Sequence, residues 1–162
     1  MKKKVLIFVL LTIIGASAVF AQRVGETVQV SGQTYRVESN SDGRMVLQLV
    51  PSLDGVWRTT TGSRVTAING SSGTINSLGS PSVIYQDAIN KGYMKVGDQE
   101  FRNLRSTGNL TWSGQVLVID FRTNNRNVAT GVSYDNGTIT LSADGQTMTV
   151  TLAAGSATFT RQ

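Results

Sequence analysis

Short runs of β-branched and aromatic residues, broken by Gly, Asn, Asp and Ser at intervals of roughly 8 to 12 residues, predict an all-β protein. The expected architecture is an antiparallel up-and-down β-barrel with one short helical turn near residues 83–91. The C-terminal third points the same way. In "GTITLSADGQTMTVTLAAGSATFTR", Ile139 with Leu141, then Met148, Val150 and Leu152, then Ala157 with Phe159 share one face of their strands, and Thr and Ser take the other. That period of two describes a sheet with one face on a core. The chain has no cysteine, so the core must hold the fold without disulfides.

The first residues are of a different kind. Lys2, Lys3 and Lys4 precede the apolar run "VLIFVLLTII" and the small-residue stretch "ASAVFAQ", with Val19 and Ala21 placed for cleavage. This is the pattern of a secretory signal peptide at 1–21, removed after Ala21. A run of ten apolar residues is half the roughly 20 that a membrane-spanning helix needs, so no membrane span is expected. A lipid anchor would need a cysteine at the cut. The expected product is a free exported protein, periplasmic or extracellular, and the short lysine-led leader reads as bacterial.

The elements follow in order. Strands are expected at 27–30, 34–38 and 45–50, with turns at Ser31-Gly32 and Asp42-Gly43 and a stop at Pro51, which cannot donate to a ladder. These form an N-terminal unit, 22–51, either a hairpin layer or a barrel extension. Within 52–162, strands are expected at 56–60, 64–68, 73–77, 92–96, 100–104, 109–112, 115–121, 138–142, 148–152 and 157–161. The stretch "SPSVIYQDAINKG" breaks the pattern and predicts a helical turn over 83–91, ended by Gly92. "QVLVIDF" is apolar on both faces, so its strand is expected to be covered on both sides, with Asp120 needing a hydrogen-bond partner. The polar stretch "TNNRNVATG", 123–131, is expected to be a mobile loop over an open end.

Composition removes several chemistries. There is no histidine, hence no Ser-His-Asp or Cys-His arrangement and no histidine-held metal. Of the 15 Lys and Arg, three leave with the leader, and 12 remain against 10 Asp and Glu. That balance gives no support to nucleic-acid binding by bulk charge. Arg58, Arg64, Arg102, Arg105, Arg122 and Arg126 read as a solvated surface. Asp98 and Glu100 would share a strand face as glycosidase carboxylates do, but "KVGDQEF" also reads as a hairpin turn with its charges in water. "SNSDGR" and "SADGQ" lack a full acidic calcium loop and read as turns. Asn69-Gly70 and Asn136-Gly137 are read as turn formers. No enzyme, catalytic residue, metal or cofactor is expected. Tyr85, Tyr93, Trp112 and Tyr134 fall near loop or strand ends and would contact a ligand or partner if they converged on one mouth.

Trp57 shares a strand face with Leu53, Gly55 and Thr59, and Arg161 shares one with Ala157 and Phe159. In an up-and-down barrel the first and last strands are neighbours, which brings the Arg161 guanidinium within reach of the indole. "DGVW", a strand meander and "TFTR" together resemble the lipocalin-type barrels, in particular the short bacterial lipocalin-like domains. That family carries Gly-x-Trp on its first barrel strand, matched by Gly55 and Trp57, and a late arginine packed over the tryptophan at the closed end, a place Arg161 could take. The resemblance spans 53–161. It implies a small apolar ligand in the barrel, or a filled barrel with none. Two roles stay open: an exported binding module for such a ligand, or an envelope protein contacting protein or glycan partners.

Overall fold

The computed structural model describes residues 24–30, 33–122 and 128–162; the expected leader, the Ser31-Gly32 turn and Arg126 lie outside them. The described chain divides into two compact units, one up to Val50 and one from Pro51 onward.

The first unit is a three-stranded antiparallel meander of β1 (Thr27–Val30), β2 (Gln33–Ser39) and β3 (Met45–Leu49). Its register pairs Val28 with Tyr35 and Val37 with Leu47, so apolar residues gather on one face while Thr27, Arg36, Glu38 and Gln48 take the other. The turn before β3 is built on Asn40, whose side-chain oxygen accepts from the Asp42 and Arg44 N–H groups.

The second unit is a closed eight-stranded barrel. Its strands are β4 (Gly55–Thr59), β5 (Val65–Asn69), β6 (Ser72–Ser77), β7 (Gln99–Gly108), β8 (Thr111–Arg122), β9 (Val128–Leu141), β10 (Thr147–Leu152) and β11 (Gly155–Arg161). Each pairs antiparallel with the next in sequence, and β11 closes on β4 through Phe159↔Thr59 and Arg161↔Trp57. The only described helix, α1 (Val83–Asn90), follows β6, and among the described residues no helix is long and apolar enough to cross a membrane.

The inward faces supply one cluster that includes Trp57, Phe101, Phe159, Ile139, Met148 and Trp112. Phe101 and Phe159 meet edge to face, centroids 5.7 Å apart, a favoured aromatic geometry. Gly114 and Gly137 sit opposite one another on β8 and β9. A methyl at Gly114 would come within 2.6 Å of Leu104, and one at Gly137 within 2.9 Å of Leu152. The bare backbone of one strand pair thus makes room for leucines from the strands on either side.

Several expectations change here. Residues 92–96 are not a strand: the Tyr93 and Gly92 N–H groups bond back to Ala88 and Ile89, ending α1 with Gly92 at φ 73°, and Asp98 caps the next turn through the Lys95 N–H. The backbone there is spent on a helix end and is not free for a ladder. Residues 109–112 and 115–121 are not two strands, because β8 runs through Gly114 without a break. Asn136-Gly137 is no turn; it lies within β9, which also takes in 128–131 of the expected loop, while 123–127 lie outside the described residues. Beyond the reach of β7 and β10, the ends of β8 and β9 pair only with each other, so "QVLVIDF" is half-exposed toward its end. Asp120 is exposed, and it accepts from the Ser133 hydroxyl at 2.7 Å. Ala157 is exposed and lies outside the core.

Candidate functional site

The two ends of the barrel differ. At one end Trp57 is fully buried, and its indole N–H donates to the Leu53 carbonyl at 2.7 Å. The Arg161 guanidinium lies over the ring, 4.3 Å from its centroid, and donates to the carbonyls of Gly145, Asp54 and Ser52 at 2.9, 2.5 and 2.9 Å. Three backbone oxygens and one aromatic face hold the cation flat across the barrel end. Gly55 lets it in: with φ +137°, a Cβ there would stand 2.5 Å from Arg161 Nη1. This end is shut.

The opposite end is built by two irregularities. Gly73 pairs with Phe101 and Thr74 with Gln99, so Glu100 is an extra residue in β7. The bulge turns Glu100 and Phe101 both inward, where strict alternation would send Glu100 to solvent. The Glu100 carboxylate accepts from the Thr66 hydroxyl and from Arg64 Nη2. The Arg64 side chain is 15% exposed and lies beside the rings of Tyr85 and Phe159, 5.2 and 6.0 Å from their centroids. Its Nε is buried without a hydrogen-bond partner. Burial works against the charge on Arg64, but the Glu100 carboxylate and Tyr85 outweigh it and hold the guanidinium above its ordinary range.

Over this pair opens a cleft of about 410 Å³. Three pieces of chain form its walls: Thr59, Thr60, Thr61, Gly62 and Arg64 from the end of β4 and its turn; Leu78, Pro81, Ser82 and Tyr85 from the approach to α1; and Ser156, Ala157 and Thr158 from β11. The walls are tied together by Thr60 N–H to Thr158 O and Ser80 N–H to Gly62 O, at 2.9 and 2.6 Å. Gly79 has no room for a side chain, since a Cβ would lie 2.2 Å from the Gly62 oxygen. Ser63 stands at φ 56°, a conformation few non-glycine residues adopt and one concentrated at binding sites.

Of the four aromatics singled out in the sequence, Tyr85 lines this cleft. Trp112 is a core residue opposite Ile139. Tyr134 lies on β9 with the Arg102 guanidinium 3.4 Å from its ring centroid and its hydroxyl donating to Gln99 O at 2.6 Å. Tyr93 is on the exposed turn after α1. The four do not converge.

Arg64 and Glu100, both expected in solvent, are instead largely buried. Arg64 had a usable signal: it shares strand parity with Thr66 and the core residue Ile68. Glu100 had none, because a bulge is invisible to a parity count. No protein-family model matches the chain, and no curated protein or solved structure is significantly similar to it.

Proposed function

We propose that this chain is an exported, lipocalin-like binding module that takes a small ligand in the cleft at the barrel mouth. The observation that carries the reading is the cleft itself, with a volume inside the roughly 300 to 1,000 Å³ range of small-molecule sites, at the end opposite the Trp57–Arg161 lid. Large side chains from all round the ring occupy the barrel's middle, so the ligand belongs at the mouth and not between the sheet walls. The same packed core suits the second reading, an envelope protein that meets protein or glycan partners and holds no small molecule. In neither reading does the chain act as a catalyst.

Native mass spectrometry of the protein purified from its own host, with amide NMR shifts on adding back whatever it releases, tests the proposal. The expected result is a co-purified small molecule that moves the Ser82, Tyr85 and Thr158 amides, on a protein whose first residue is Gln22. A protein that carries nothing and shows no shift with a panel of small probes sinks the mouth reading. One that begins at Met1 sinks export.

A further inference from the structure

We infer that the mouth takes an uncharged, hydroxyl-bearing ligand, the end of a neutral saccharide; the inference rests on the mouth being a binding site. Charge is the first argument. Among the described residues Arg64 is the one charged residue lining the cleft, and its partner Glu100 is in direct contact behind it. The carboxylate behind the guanidinium offsets much of its field, so an anion entering the cleft is drawn less strongly than by an unpaired cation. A carboxylate or phosphate site would need a cation free of that compensation.

Hydrogen-bonding chemistry is the second argument. The hydroxyls of Thr61, Ser82 and Ser156 have no partner among the described residues, and Ser82, the N-cap residue of α1, makes no side-chain capping bond. Each can donate and accept, the pairing that sugar hydroxyls need. The Thr59 hydroxyl, by contrast, is committed to Thr61 O and to the Arg64 N–H. The third argument is shape. The Tyr85 ring stands on one wall with Leu78 and Pro81 near it. A saccharide is amphipathic in the same way, with a C–H face to lie on an aromatic ring and a rim of hydroxyls. A wholly apolar ligand would leave the hydroxyl wall facing hydrocarbon.

The test is amide NMR titration of the mature protein with three classes of probe: neutral disaccharides (maltose, cellobiose and di-N-acetylchitobiose), laurate, and an anilinonaphthalene sulfonate. The expected result is that a disaccharide moves the Ser82, Tyr85 and Thr158 amides, with an affinity unchanged between low and high salt. Ser82→Ala and Ser156→Ala should each weaken it by roughly 3- to 10-fold, the worth of one hydrogen bond, with the urea midpoint unmoved. If laurate or the sulfonate moves those amides and no sugar does, the saccharide assignment is overturned and the mouth reading stands. If sugar affinity falls steeply with salt, the neutral assignment is overturned. If no probe moves them, the saccharide assignment is overturned, and the mouth reading falls with it only where the protein from its own host also carries no small molecule.

Discussion

At Gly55 a single hydrogen atom decides whether the barrel can be capped. The guanidinium of Arg161 occupies the space a side chain would take, and the backbone φ of +137° is one that L-residues rarely adopt. Gly55→Ala should therefore cost about 1 to 3 kcal/mol, through strain and a displaced guanidinium. Trp57→Ala, which removes the largest fully buried side chain, should cost about 3 to 5 kcal/mol. Urea unfolding of both variants checks the pair, and a midpoint like the parent's for Trp57→Ala would contradict the burial described here. This end of the molecule was legible in the sequence because glycine, tryptophan and arginine all obey strand parity. Glu100 was not, because one inserted residue reversed its side.

Helix α1 shows how far an element can be read from local signals alone. Its span was legible in Pro81, the spacing of its apolar residues and Gly92, all short-range chemistry. Its anchorage was not. The Asp87 carboxylate accepts from Lys91 Nζ and from the Ala129 N–H, both at 2.8 Å, and Lys91 also donates to Ala129 O, so the helix is fastened to the start of a strand 42 residues away. The Lys91 ammonium, then the Ala129 N–H, hold the Asp87 carboxyl below the usual carboxylate range. A depressed folded-state value means that the attachment is fully stabilising above the unfolded range near about pH 4 and is lost as pH falls through the lower, folded value. Hydrogen exchange at the Ala129 amide should accordingly stay protected through about pH 4 and loosen below it, with Asp87→Asn flattening that profile. An unchanged profile in the variant would show that the carboxylate does not fasten the helix. The course of β9 departs from expectation for a related cause: Asn136-Gly137 carries turn chemistry, and the packing of Leu152 and Val116 shows why a glycine belongs inside that strand.

The whole molecule separates into a small sheet and a barrel, and the barrel carries its own core and its own closure. A chain starting at Pro51 should fold alone, with a single cooperative urea transition. A broad, non-cooperative transition would show that the barrel needs the residues before it. The barrel architecture was legible because it is written in strand alternation. The mouth was not, because its walls come from segments as far apart as Thr60 and Thr158 that meet only once the ring is shut. That closure also sets a timescale. Arg161 and the Asp54 oxygen it grips are 107 residues apart, so the contact that seals the barrel ranks among the most expensive in chain entropy, and barrels of this connectivity fold in milliseconds to seconds where helical bundles need far less. With only Trp112 besides it in the chain, Trp57 is a built-in optical clock: in a Trp112→Phe background its emission follows the shutting of the ring, as the indole leaves water and the guanidinium settles across its face.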